Sequence, residues 1–161
     1  KNSTKRMTMN YPKRSILTLM ALTMAITCSS QQKNIFPKGD LAPEGNFTGM
    51  AWVTGLVEND TVYHTIVANV TFEAGARTNW HSHPSGQLML VTDGVGFHQI
   101  KGQPRETIRK GDVAKCPPDT MHWHGASKDS SMTHVVVLPN TERGIVNWMD
   151  AVSSEEYLQN D

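Results

Sequence analysis

Between positions 47 and 139 the chain alternates apolar and polar residues with a period of two. Across residues 64–72, His64, Ile66, Ala68, Val70 and Phe72 fall on one face. Tyr63, Thr65, Val67, Asn69 and Thr71 fall on the other. Successive side chains of an extended chain point to opposite sides, so this pattern predicts a half-buried strand. Residues 87–91, 96–100 and 134–138 read the same way. Turn residues separate the runs: Glu73-Ala74-Gly75, Asp93-Gly94, Lys101-Gly102 and Lys110-Gly111-Asp112. Many short strands at regular spacing predict an all-β sandwich or closed barrel. A helix is expected only near the C-terminus. There Ser153 or Ser154 can cap it, with Glu155 and Glu156 in its first turn. It should pack on the outside of the barrel.

The start of the chain has another character. Lys13-Arg14 precedes an apolar run that ends at Cys28. The run is shorter than the roughly 20 residues that span a bilayer. A basic start, a short apolar stretch and small residues near its end describe an export signal. The Cys followed by Ser-Ser-Gln-Gln resembles a bacterial lipoprotein signal, in which the Cys is lipidated. The expected division is a signal over residues 1–28, a flexible tether over 29–45, a barrel over 46–140 and a helical tail over 141–161. The expected location is the periplasm or the outer-membrane or cell surface of a bacterium, with the lipid as the only membrane contact.

Charge sharpens this division. The 161 residues carry 15 Lys and Arg against 15 Asp and Glu. Five of the cations (Lys1, Lys5, Arg6, Lys13 and Arg14) precede Cys28, where no acid occurs. The remainder is acidic, which argues against binding a phosphate backbone and so against a nucleic-acid partner. An apolar fraction of 38% rules out a wholly disordered chain, and two Cys exclude a disulfide scaffold. Neither a Gly-rich phosphate loop nor a Gly-x-Ser-x-Gly elbow is present.

Four of the seven His form two pairs, His81-x-His83 and His122-x-His124. On a strand, residues i and i+2 share a face, so each pair can aim two imidazoles into one space. Neutral imidazole is a common ligand of divalent transition metals, among them Mn, Fe, Zn and Ni. His134 shares a strand face with Val136 and Leu138, and Met89 and Val91 share the face of Gln87. His64 and His98 read as structural, Cys116 as a small buried residue, and Trp80 and Trp123 as packing residues facing away from the His pairs.

The spacing of Gly75, His81-x-His83, Gln87 and Gly94, followed by Gly111, Pro117 and His122, resembles the two motifs of the cupin superfamily. The resemblance implies a double-stranded β-helix, a small jelly-roll-like barrel. It implies one divalent metal held by His81, His83, the residue at position 87 and His122. Position 87 is Gln where Glu is usual; its amide oxygen can ligate but brings no charge.

A narrower likeness lies in ARTNWHSHPSGQ, PPDTMHWHGAS and VNWMDAVSSEEY. These segments are similar to single-domain bacterial cupins that include manganese-dependent hydroxynitrile lyases and carboxymuconolactone-decarboxylase-associated cupins. That group also uses Gln as fourth ligand. It implies manganese, a supporting role for His124, a base at His134 and a pocket position at Thr78. With Met89, Leu138 is the remaining pocket candidate; it stands where those lyases carry a Gln. The resemblance also implies a homodimer, for which residues 47–57 are apolar enough. Three functions stay open: lyase or isomerase chemistry on a small oxygenated molecule, an iron-dependent dioxygenase, and a non-enzymatic small-ligand binder.

Overall fold

The computed structural model describes residues 34–159. The signal expected over residues 1–28 and the lipidation expected at Cys28 lie outside the described residues. The strands are β1 (Asp40–Leu41), β2 (Phe47–Thr48), β3 (Ala51–Val57), β4 (Ile66–Phe72), β5 (Arg77–Thr78), β6 (His81–Ser82), β7 (Gln87–Ile100), β8 (Glu106–Arg109), β9 (Val113–Cys116), β10 (His122–Ala126), β11 (Met132–Leu138) and β12 (Asn147–Trp148). A 3-10 turn (Thr141–Arg143) and one helix, α1 (Ser154–Leu158), complete the fold. This is the all-β barrel expected from the period of two, with its short C-terminal helix.

Every pairing is antiparallel. The order β1-β3-β4-β11-β7-β10-β5-β2 curls the sheet on itself, and β7 links its two halves. Residues 87–94 of β7 pair with β9 and β11, and residues 95–100 pair with β8 and β10. Asp93-Gly94 therefore bends one long strand and does not separate two. Gly94 makes this possible: its φ is +75°, and a Cβ there would lie 1.9 Å from the Ser131 carbonyl oxygen.

Two further differences have local causes. His64 was expected within a strand, but it adopts a left-handed φ of 47° in the turn before β4. The Asp60 carboxylate holds that turn by accepting from the Val62 and Tyr63 N–H groups. The second half of the tether is docked. β1 pairs with the exposed edge of β3, satisfying backbone groups that the edge would otherwise leave open. Lys38 lies 3.3 Å above the Trp52 ring and pairs with Glu73 at 2.9 Å.

The core has two parts. Phe72, Met89, Met132, Val70 and Val136 fill the space between the curled halves. Trp80, Phe97, Trp123, Val152 and Tyr157 form a second cluster, against which α1 rests. Trp80 and Trp123 thus pack away from the His pairs, as alternation requires. Ser153 caps α1 in a reciprocal capping box with Glu156. The Tyr157 hydroxyl donates to the Ala126 carbonyl at 2.8 Å, and the Arg77 guanidinium lies over the Tyr157 ring.

Glu156 is the electrostatic latch of this helix. The Lys101 ammonium at 2.8 Å, then the Ser153 N–H, hold its carboxyl down at about 2, against an ordinary 4.5. A carboxylate held low in the fold stabilises it above the unfolded value and loses that contribution as pH falls through the folded one. Glu156 should therefore weaken the helix's hold between about pH 4.5 and about pH 2. Tryptophan fluorescence from Trp80 and Trp123 should report an acid transition in this window, and Glu156→Gln should remove that part of it. Identical acid profiles for the two proteins would contradict the latch.

Candidate metal centre

β6 and β10 lie side by side with His81 directly opposite His122. His83 follows the end of β6, and Gln87 opens β7. Curling of the sheet brings these positions to one place. One ligand atom from each of His81, His83 and His122 lies within 4.8 Å of the others. The rings of His81 and His122 are 4.2 Å apart between centroids, and those of His81 and His83 are 5.1 Å apart.

The three imidazoles share one chemical arrangement. The His81 Nδ1–H donates to the Asn79 carbonyl at 2.9 Å, the His122 Nδ1–H to Thr120 at 2.9 Å and the His83 Nδ1–H to Ile145 at 2.6 Å. A carbonyl oxygen only accepts, so each Nδ1 carries the proton. Each Nε2 of a neutral ring then presents a lone pair. Burial favours the neutral form. It depresses His81 well below its ordinary 6.5, lowers His83, and brings His122 to about 4; the neighbouring His122 lowers His81 further.

These donors fit a divalent ion. The buried His83 Nε2 has no hydrogen-bond partner. His122 Nε2 lies 3.1 Å from Gln87 Oε1, so a lone pair faces an amide oxygen. A cation held by both would resolve that opposition, because the imidazole lone pair and the amide oxygen would each face the ion. The three imidazoles and the Gln87 amide are uncharged, and among the described residues no Asp or Glu lines the adjoining cavity.

That cavity has a volume of about 260 Å³. Its walls are Phe47, Val53, Ile66, Ala68, Val70, Val136, Leu138, Ile145, Val146 and Trp148, with Thr78, His81, His83, Gln87 and His124 supplying polar atoms. Thr78 and Leu138 therefore stand where the sequence put them. Thr78 Oγ1 accepts from the His124 N–H and donates to the His124 carbonyl, both at 3.2 Å.

Met89 does not line the cavity. It shares Gln87's strand face, but it is fully buried in the core cluster with Phe72, Met132 and Val136. His134 is also fully buried behind the wall. Its Nε2 lies 3.2 Å from His124 Nδ1, so any effect on the cavity passes through His124. Burial holds His134 down at about 3. Burial, then the neighbouring His134, depresses His124.

His98 belongs to the same interior. Its ring is 5.9 Å from that of His122, and its Nε2 lies 3.2 Å from Cys116 Sγ. Burial pushes the Cys116 thiol up to about 12, which keeps it protonated and a poor nucleophile. The sequence reading did not reach Phe47, Ile145, Val146 and Trp148. Trp148 lies 4.9 Å from the His81 ring and 5.8 Å from the Phe47 ring. A two-residue strand in the tail has no period to detect; an unpaired Trp beside apolar residues was the one available signal.

Comparison with known proteins gives a consistent result. Residues 68–138 match the model of the cupin domain. An (R)-mandelonitrile lyase of Granulicella tundricola is 41% identical over 112 residues, 66% of this chain and 86% of that protein. The crystal structure of a cupin-like protein from Thermotoga maritima is similar at a TM-score of 0.76 and 43% identity, covering 78% of this chain and 95% of that one. A cupin-2 domain from Rhodospirillum rubrum shares the fold at 14% identity and a TM-score of 0.59, covering 73% and 79%. With the two His motifs brought together at one end of a curled antiparallel barrel, these likenesses establish that the chain belongs to the cupin superfamily and is similar to its hydroxynitrile lyases.

Proposed function

We propose that this cupin is a divalent-metal-dependent lyase that cleaves a small hydroxynitrile by acid–base chemistry. The observation that carries the reading is the convergence of three carbonyl-tethered imidazoles on an apolar cavity that also holds His124. The relative's name supplies the test substrate, (R)-mandelonitrile. By resemblance the metal is manganese, held by His81, His83, Gln87 and His122. When bound, the ion supplies positive charge that stabilises a developing oxyanion.

The chain's own residues divide the remaining work. The apolar wall of Val70, Val136 and Leu138 shelters the substrate's hydrocarbon part and excludes water. His124, neutral because buried, takes up the hydroxyl proton as the bond from carbon to the nitrile breaks. The products are an aldehyde and hydrogen cyanide, whose proton returns through the same imidazole. His134 positions His124 through their 3.2 Å contact and is its partner in proton exchange. Export by residues 1–28, a lipid on Cys28 and a homodimer complete the proposal, all three resting on the sequence.

Purified without chelator, the chain should contain about one Mn, Fe, Zn or Ni, and His81→Ala or His122→Ala should reduce that content at least about tenfold. Elemental analysis decides this, and a chain that stays metal-free after incubation with these ions would leave a metal-independent binder.

The Mn-loaded chain should release benzaldehyde from (R)-mandelonitrile. His124→Ala should retain its metal yet lose about 10² or more in kcat. Oxygen consumption by the iron-loaded chain without benzaldehyde release would point to a dioxygenase instead.

A further inference from the structure

The segment that follows the barrel is tied to one short stretch of chain. Its Ile145 carbonyl accepts the His83 Nδ1–H at 2.6 Å. β12 lies antiparallel to β6, with Trp148 opposite His81 and Asn147 opposite Ser82. The Met149 N–H donates to the Trp80 carbonyl at 2.9 Å, and the Trp80 N–H donates to Asp150 at 3.0 Å. The Asn79 side-chain amide donates to the Met149 carbonyl at 3.4 Å. All these bonds end on residues 79–83, the stretch that carries two of the three converging imidazoles.

We infer that the segment from Gly144 to Asp150 is the positioning element of the metal centre. The Ile145 carbonyl selects which nitrogen His83 presents, and the Trp148 ring fixes the plane of His81. The inference rests on the metal-binding reading above. It concerns a part of the chain to which the two cupin motifs do not extend.

β6 contains only His81 and Ser82, so His83 lies beyond its end; the Gly86 and Asp119 N–H groups hold its backbone carbonyl, but neither touches its ring. Its Nε2 has no hydrogen-bond partner, so Ile145 alone fixes the ring's tautomer. Without that carbonyl the proton can move to Nε2, which then has no lone pair for an ion. His81 has the Asn79 carbonyl on Nδ1, with the His122 ring 4.2 Å away and the Trp148 ring 4.9 Å away. Coupling runs both ways: whatever the segment contributes to metal affinity, the metal returns as stability of the segment. A segment that merely covers the cavity would not respond in this way.

The test uses the full chain stripped of metal, with Mn²⁺ alone as the probe. Hydrogen exchange is read at single amides before and after one equivalent binds. The Trp80 and Met149 amides should slow by about tenfold or more. The Tyr157 amide, bonded within α1 to Ser153, should change by less than about twofold. In parallel, Trp148→Ala should bind Mn²⁺ about tenfold or more weakly, while Trp148→Phe stays within about threefold of wild type.

Binding of Mn²⁺ with Trp80 and Met149 exchange unchanged would overturn the inference and leave the metal site standing. Undiminished affinity in Trp148→Ala would also overturn it. Failure to bind Mn²⁺, Fe²⁺ or Zn²⁺ at all would bring down both readings. If Trp148→Ala does not fold, wild-type exchange alone decides.

Discussion

Three backbone carbonyls, those of Asn79, Thr120 and Ile145, determine what the centre of this barrel can do. Each takes the proton-bearing nitrogen of one imidazole and turns the other nitrogen inward. Backbone carbonyls suit this task because they cannot donate and are fixed by the strand or turn that carries them. Two of them lie two residues before their own His, so the approach to the strand sets the ring. The third arrives from the C-terminal tail, some sixty residues away in sequence. The centre therefore depends on chain that contains none of its ligands.

Burial adds the second constraint. A buried imidazole resists protonation because a charge in that environment loses its hydration. His122 and His134 are held near 4 and 3, and both should stay neutral through ordinary pH. The same burial leaves few partners for the nitrogens facing inward, as the orphaned Nε2 of His83 shows. A buried polar atom without a partner is costly in a folded protein. Ligation of a cation would satisfy that nitrogen, so the burial that keeps the imidazoles neutral also suits them to a metal.

Most of the ligand set was legible because it depends on short-range geometry. The His81-x-His83 and His122-x-His124 pairs need only the two-residue period to share a face, and the cupin spacing adds Gln87. Thr78 came from the narrower family likeness, and Leu138 from that likeness and the face it shares with His134; both line the cavity. Met89 was misplaced: alternation groups it with Gln87, but tertiary packing sets it in the core with Phe72, Met132 and Val136. His134 is correct in direction but lies one layer too deep, since His124 stands between it and the open space. The Asp93-Gly94 pair has the composition of a turn, yet β7 runs on through it, paired with β11 before the bend and with β8 and β10 after it, with a register shift between Thr133 and His134. Trp148 and Ile145 were not assigned to the cavity because their contacts are long-range and their segment has no repeat.

The absence of a carboxylate from the cavity then shapes the chemistry. Glu at position 87 would neutralise half the charge of a divalent ion; Gln87 neutralises none. Two unit charges about 4 Å apart attract by about 4 kcal/mol at an effective dielectric of about 20. Apolar walls such as Val70, Val136 and Leu138 do little to screen that attraction. Such a site favours a ligand that acquires negative charge as it reacts over one that stays neutral, and it does so most strongly at the moment the charge develops. A hydroxyl losing its proton to a neighbouring imidazole meets that condition. In the proposed reaction the neutral His124 and the uncharged donor set form one design in two parts: the imidazole would remove the proton, and a bound ion would hold the charge left behind.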